Sequence, residues 1–90
     1  MLTEYVGRYF KNDRGAFKVL EADHLVTTFL ICPFHPSFSS CNYLYIEEII
    51  DTYTYTTAEG LSKIERAREI EKEEFEEVVN NFVKELLNMI

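Results

Sequence analysis

The sequence predicts an α+β domain in which a small antiparallel β-meander, able to curl toward a barrel, packs against a long C-terminal helix. Three observations carry this. The first 57 residues are runs of aromatic and β-branched side chains separated by turn clusters. From about Ser62 the period changes to helical, with Phe75, Val78, Val79, Phe82, Val83, Leu86, Leu87 and Ile90 at i, i+3, i+4 and i+7 spacings. And 90 residues, 47% hydrophobic and 28% charged, suit a single core. The whole of 1–90 is therefore expected to be one domain, with its sheet over about 3–57 and its helical part over about 62–90.

Each element has its own signal. The segment from Glu4 to Lys11 is rich in aromatics and ends at Asn12-Asp13-Arg14-Gly15, a turn cluster with a glycine available for positive φ. Ala16 to Glu21 resumes as a strand through Phe17 and Val19, and Ala22-Asp23-His24 is the next turn. Leu25 to Cys32 is apolar on both faces, which places it inside the sheet. Pro33 and Pro36 exclude ladder pairing, so Pro33 to Asn42 reads as a loop. Tyr43 onward alternates again, with Tyr43, Tyr45, Tyr53 and Tyr55 on one parity unless a bulge intervenes at Glu47-Glu48. The expected core is Phe10, Val19, Phe29, Ile31, Phe75, Val78, Val79, Phe82 and Leu86.

Two capping boxes compete for the helix start, Thr56-x-x-Glu59 and Ser62-x-x-Glu65. Ser62 is preferred because Gly60 would cost about 1 kcal/mol inside a helix. A continuous helix from Ser62 to Ile90 would outreach any short-stranded sheet, since it rises about 1.5 Å per residue. The apolar face is interrupted around Ala67 to Glu71. The helix is therefore expected to break there, with a core-packing second half from Lys72 or Glu73 and a charged first half from Ser62 to Glu71.

The net charge of −7 is unevenly placed. Residues 1–42 are balanced, 43–57 carry −3 and 58–90 carry −4. Such a balance disfavours direct nucleic-acid or anionic-membrane binding, which need surplus lysine and arginine. No apolar run approaches the roughly 20 residues of a membrane span, and the N-terminus has no signal-peptide pattern. A soluble, cytoplasmic chain is expected. Like-charged pairs such as Glu69 with Glu73 and Glu73 with Glu77 cost a few tenths of a kcal/mol each on a helix, so stability alone does not select them.

Chemistry-bearing motifs are few. Cys32-x-x-His35-x5-Cys41, with His24 elsewhere, lacks the second paired knuckle of a zinc site. Serines near His35 have no nucleophile elbow. Glu47 and Asp51 on one strand would stand about 13 Å apart, too wide for a carboxylate pair that cleaves glycosides. No catalytic residue, metal ligand or cofactor is assigned. The expectation is a non-enzymatic module that binds a basic protein through Glu69, Glu73, Glu76 and Ile70 on the helix and Glu47, Asp51, Tyr53 and Tyr55 on the strand. The alternative is a structural homo-oligomer, a homodimer in its simplest form, whose helix mediates self-association. A small metal-binding protein is the least favoured reading.

Gly7-Arg8-Tyr9-Phe10-Lys11 followed by Phe17-Lys18-Val19 resembles the opening of small uncharacterised proteins carried by bacteriophages and mobile elements. Ile70-Glu71-Lys72-Glu73-Glu74-Phe75 is similar to the starts of their C-terminal helices, although Glu71 stands where a Ser or Thr N-cap would be expected. The resemblance implies a short meander followed by a helix and a setting in the host cytoplasm. For some such acidic proteins it also implies inhibition of a host defence nuclease, by competing with nucleic acid for a basic groove. It carries over no functional residue.

Overall fold

The computed structural model describes residues 2–38, 46–48 and 50–89. After a short 3-10 helix (Leu2–Tyr5) come β1 (Tyr9–Lys11), β2 (Gly15–Ala22), β3 (Val26–Pro33), β4 (Ser37–Phe38), β5 (Ile46–Glu48) and β6 (Asp51–Thr56), then α1 (Thr57–Glu65), β7 (Arg68–Ile70) and α2 (Lys72–Met89). Five strands form one antiparallel sheet in the order β6-β3-β2-β1-β7, and β4 pairs with β5 in a separate two-stranded ladder. The architecture is α+β, as the residue pattern predicts. The sheet is open, with β6 and β7 as edges, and does not curl into a barrel.

The turns form where the side chains can satisfy them. Asn12 Oδ1 accepts the Arg14 and Gly15 N–H groups at 2.8 and 3.0 Å, closing β1 onto β2. Asp23 Oδ1 accepts those of Leu25 and Val26 at 2.7 and 2.9 Å, closing β2 onto β3. Both are side-chain mimics of a backbone turn. Gly7, at φ +86°, supplies the left-handed residue that turns the 3-10 helix into β1.

Alternation splits the core across the two faces of the sheet. Phe10, Phe17, Val19 and Phe29 point to one face, where Leu2 and Ile64 of α1 cover them. Ala16, Cys32 and Ile70 lie on the other, beneath Phe75, Val78 and Phe82 of α2. Six of the nine expected core residues are fully buried, while Ile31, Val79 and Leu86 pack only at the margins. The expectation left out Leu2, Ala16, Phe17, Cys32, Ile64 and Ile70, several of which are buried only because elements distant in the chain cover both faces of the sheet. The 18 residues of α2 cover one side, and α1 with the 3-10 helix covers the other.

The helical half differs from expectation in two ways. First, α1 starts at Thr57. Thr56 is its N-cap and accepts the Glu59 N–H at 3.3 Å, so the first of the two candidate starts is used. Gly60 sits inside this helix at a position only glycine can fill. A Cβ there would overlap Cγ2 of Thr27, which is fully buried and whose hydroxyl donates to the Glu21 carbonyl at 2.9 Å. Close approach of α1 to β3 overrides helix propensity. Second, the break expected at Ala67 to Glu71 is present but is not merely a kink. Arg68–Ile70 forms β7 and pairs with β1, Tyr9 opposite Ile70. The sheet offers an unfilled edge at β1, and filling it satisfies backbone groups on both segments. α2 then begins at Lys72, with the Glu71 carbonyl accepting the Glu74 and Phe75 N–H groups.

The Gly60 contact is testable. Glycine-to-alanine in a helix ordinarily stabilises by about 1 kcal/mol. Here Gly60→Ala is expected to lower stability, overpacking costing about 1–3 kcal/mol. Thr27→Ser, which removes the methyl and keeps the hydroxyl, should recover most of the loss. Urea melts across the four proteins of the double-mutant cycle would show the coupling, and additive effects would contradict it.

Candidate functional site

An open groove of about 920 Å³ runs along the polar flank of α2. Its walls are Glu73, Glu74, Glu77, Asn81, Lys84, Glu85 and Asn88 of the helix, Glu71 at the helix entry, Lys11 of β1, and Phe34 and His35 just after β3. Val78 and Phe34 supply apolar floor. The helical members recur every three or four residues because the groove lies beside the core-facing stripe of Phe75, Val78 and Phe82.

Five glutamates face two lysines and one histidine, and some charges are already matched. Glu74 accepts from Lys11 Nζ at 3.1 Å and from Arg68 at 3.3 Å. The Lys11 hydrogen bond is the main reason its carboxyl is held below the usual range. Lys11 also lies 5.5 Å from the Phe34 ring centroid. Glu85 meets His35 Nδ1 at 2.6 Å across the groove. Glu71, Glu73 and Glu77 make no ion pair among the described residues. These three leave a local surplus of negative charge beside an aromatic ring.

The residues singled out from sequence fall in several places. Glu73 lines the groove. Glu76 is exposed on α2 outside the lining and approaches Lys72 at 3.9 Å. Glu69 is on β7, not on a helix, and takes a two-pronged hydrogen bond from Arg8 at 2.6 and 2.8 Å. That bond holds its carboxyl below the ordinary range. Ile70, expected on an exposed helix face, is buried under α2 and reaches no surface partner. Tyr53 and Tyr55 are on β6, the far edge of the sheet, and on the face opposite α2. The side chains of Glu47 and Asp51, like Tyr43, Tyr45 and Cys41, lie outside the described residues. The eight residues therefore do not form one surface. The groove members missed by sequence reasoning, Lys11, Phe34, His35 and Glu85 among them, converge from three separate elements. Glu73, Glu77, Asn81, Lys84 and Asn88 left a readable polar stripe, but nothing in the chain signals what faces it.

Cys32 and His35 do not share a site. Cys32 is fully buried in the second-face core, whereas His35 stands exposed at the groove. Among the described residues no three His, Cys, Asp or Glu side chains are placed to hold a metal. No helix among them is long and apolar enough to cross a membrane. The chain matches no protein-family model, and neither a curated protein nor a solved structure shows significant similarity to it.

Two pH effects follow from these environments. Burial pushes the Cys32 thiol up to about 11 from an ordinary 9.0. Its contribution to stability is thus complete below pH 9.0 and is lost as pH rises toward 11. Glu69 and Glu74, held low, act in the opposite sense: their contribution is present above the ordinary carboxylate range and is lost as pH falls through their depressed values. Iodoacetamide at pH 8 is expected to leave the Cys32 peptide of the native protein unmodified and to alkylate it fully in urea, read by peptide mass mapping. Rapid native labelling at Cys32 would contradict its burial.

Proposed function

We propose that the chain is a non-enzymatic binding module whose acid-lined groove receives a basic segment of a protein partner. The observation that carries this is the trio Glu71, Glu73 and Glu77, which make no ion pair among the described residues and line the groove together with the Phe34 ring. A carboxylate row with an apolar floor suits an arginine or lysine side chain, whose stem packs on Phe34 and Val78 while its head meets the glutamates. Arginine is the better fit, because its planar fork engages carboxylates two-pronged and stacks on aromatic faces. The long-range field of a −7 chain accelerates encounter with such a partner.

The resemblance to proteins of phages and mobile elements extends the proposal to a class of partner. That partner is a host protein whose own basic groove handles nucleic acid, with the glutamates of α2 standing in for phosphates. Glu69 is given a different role from the one expected: engaged by Arg8, it anchors β7 and is not offered to the partner.

Binding of a fluorescent oligoarginine peptide, followed by anisotropy, tests the groove against net charge alone. Glu73→Lys with Glu77→Lys should weaken binding at least about tenfold, or about 1.4 kcal/mol. Glu65→Lys with Glu76→Lys makes the same change in net charge away from the lining and should have a much smaller effect. Affinity should also fall as salt shortens the Debye length from about 10 Å at 0.1 M to about 3 Å at 1 M. Equal losses from both double variants would reduce the effect to overall charge and end the groove reading.

A further inference from the structure

The two edges of the five-stranded sheet are built differently. β7 has three residues, two of them charged, and Glu69 is clamped by Arg8. Short, charged edges of this kind resist strand addition. β6 has six residues, and from Thr52 to Ala58 the chain carries no charge, no proline and no glycine. Its ladder with β3 runs from Val26↔Thr56 to Ile31↔Asp51 without a bulge. Among the described residues no strand pairs with its outer side. The Thr57 N–H donates to the Leu25 carbonyl at 3.0 Å. Alternation along an antiparallel ladder then turns the backbone of Tyr55 and Tyr53 toward β3 and that of Thr54 outward. The 3.0 Å contact between the hydroxyls of Thr28 and Thr54 fits this, since such opposed residues bring their side chains closest.

We infer that the outer edge of β6 pairs antiparallel with β6 of a second copy of this chain, about a two-fold axis through Thr54, joining two sheets into one of ten strands. A two-fold axis normal to the sheet keeps both faces aligned, so residue i can meet only residues of its own parity. In the Tyr-Thr-Tyr repeat this sets Thr54 against Thr54 and Tyr53 against Tyr55 of the second copy. Thr54 exchanges two backbone hydrogen bonds. Tyr53, 55% exposed in the single chain, gains an aromatic neighbour.

Charge complementarity names a second copy as the occupant. On the same face, Lys63 of α1 lies 4.9 Å from the Tyr55 ring centroid. Glu59, one helical turn earlier on α1, is close enough for its charge to help raise the Tyr55 hydroxyl, behind the larger effect of burial and that of Tyr53. A two-fold axis beside Tyr55 reverses the order of this acid and base, bringing Glu59 of each copy toward Lys63 of the other. The surplus glutamates of α2 lie against the opposite face of the sheet and do not meet across the axis. The proposal is independent of what the groove binds.

Sedimentation equilibrium of the full chain tests it. The wild type is expected at twice its 10.6 kDa mass in the micromolar range. Thr54→Pro removes an outward N–H and the hydroxyl contact with Thr28 but no backbone bond to β3, and should sediment as a monomer, whereas Thr54→Val, which loses the hydroxyl contact alone, should remain a dimer. Lys63→Glu and Glu59→Lys should each be monomeric alone, and an equal mixture of the two should restore the dimer mass, which no unfolded variant could do. A wild type that stays at 10.6 kDa, or a dimer unaffected by Thr54→Pro and by both charge reversals, overturns the inference.

Discussion

The structure depends on a file of aromatic rings laid across one face of the sheet. It runs from Tyr5 through Phe10, Phe17 and Phe29 to Tyr55, with successive ring centroids 6.0, 5.5, 4.6 and 5.3 Å apart. These rings come from the 3-10 helix and from β1, β2, β3 and β6, so the file stitches together strands that share few local contacts. Offset aromatic pairs contribute roughly 0.5–1.5 kcal/mol each beyond the area they bury. A cation closes each end: Arg8 stands 4.7 Å from the Tyr5 centroid, and Lys63 4.9 Å from that of Tyr55. In a chain this short, where a core is marginal by size alone, such a file ties the register of four strands to one packing solution.

That constraint divides the molecule's labour. Because the aromatic file fills one face, α1 and the 3-10 helix must close over it, and α2 is left to seal the other. Gly60 is the consequence on the first face, where α1 sits too near β3 for any side chain. On the second face, α2 buries only the stripe of Phe75, Val78 and Phe82, and its polar flank overhangs the segment after β3. The groove is the space beneath that overhang. It is a by-product of how a helix covers a sheet with one loop beside it, and its chemistry comes from which residues the uncovered flank carries.

The acidic residues sort by the same geometry. Glu69, Glu74 and Glu85 have been drawn into contacts with Arg8, with Lys11 and Arg68, and with His35. Each ties a long-range partner to the second half of the chain, and all are exposed enough that solvent screens much of their strength. Glu71, Glu73 and Glu77 make no ion pair among the described residues, although Lys11 and Lys84 line the same groove. A charge excess spread evenly in sequence from Glu69 to Glu77 is thus uneven in space, structural at one end and available at the other.

Much was legible before folding was considered. Asn12 to Gly15 and Ala22 to His24 announced their turns, because Asn, Asp and Gly satisfy turns locally. The apolar period from Phe75 named α2 and its buried stripe, and the interruption at Ala67 to Glu71 marked where helix ends and α2 begins. These are properties of residues within a few positions of one another, and the sequence by itself determines them. Other features required partners distant in the chain. α1 starts at Thr57, with Gly60 inside it, because its close approach to Thr27 of β3 leaves room for glycine alone at that position. Arg68 to Ile70 is a strand because β1 has an edge to fill, which also takes Ile70 from surface to core. Glu69 meets Arg8, and Phe34 and His35 meet α2, across separations of about 50 residues or more. Packing of sequence-remote groups carries no local signature, so the tertiary structure alone decided the groove, the charge pairs across it, and the place of β6 at one end of the five-stranded sheet.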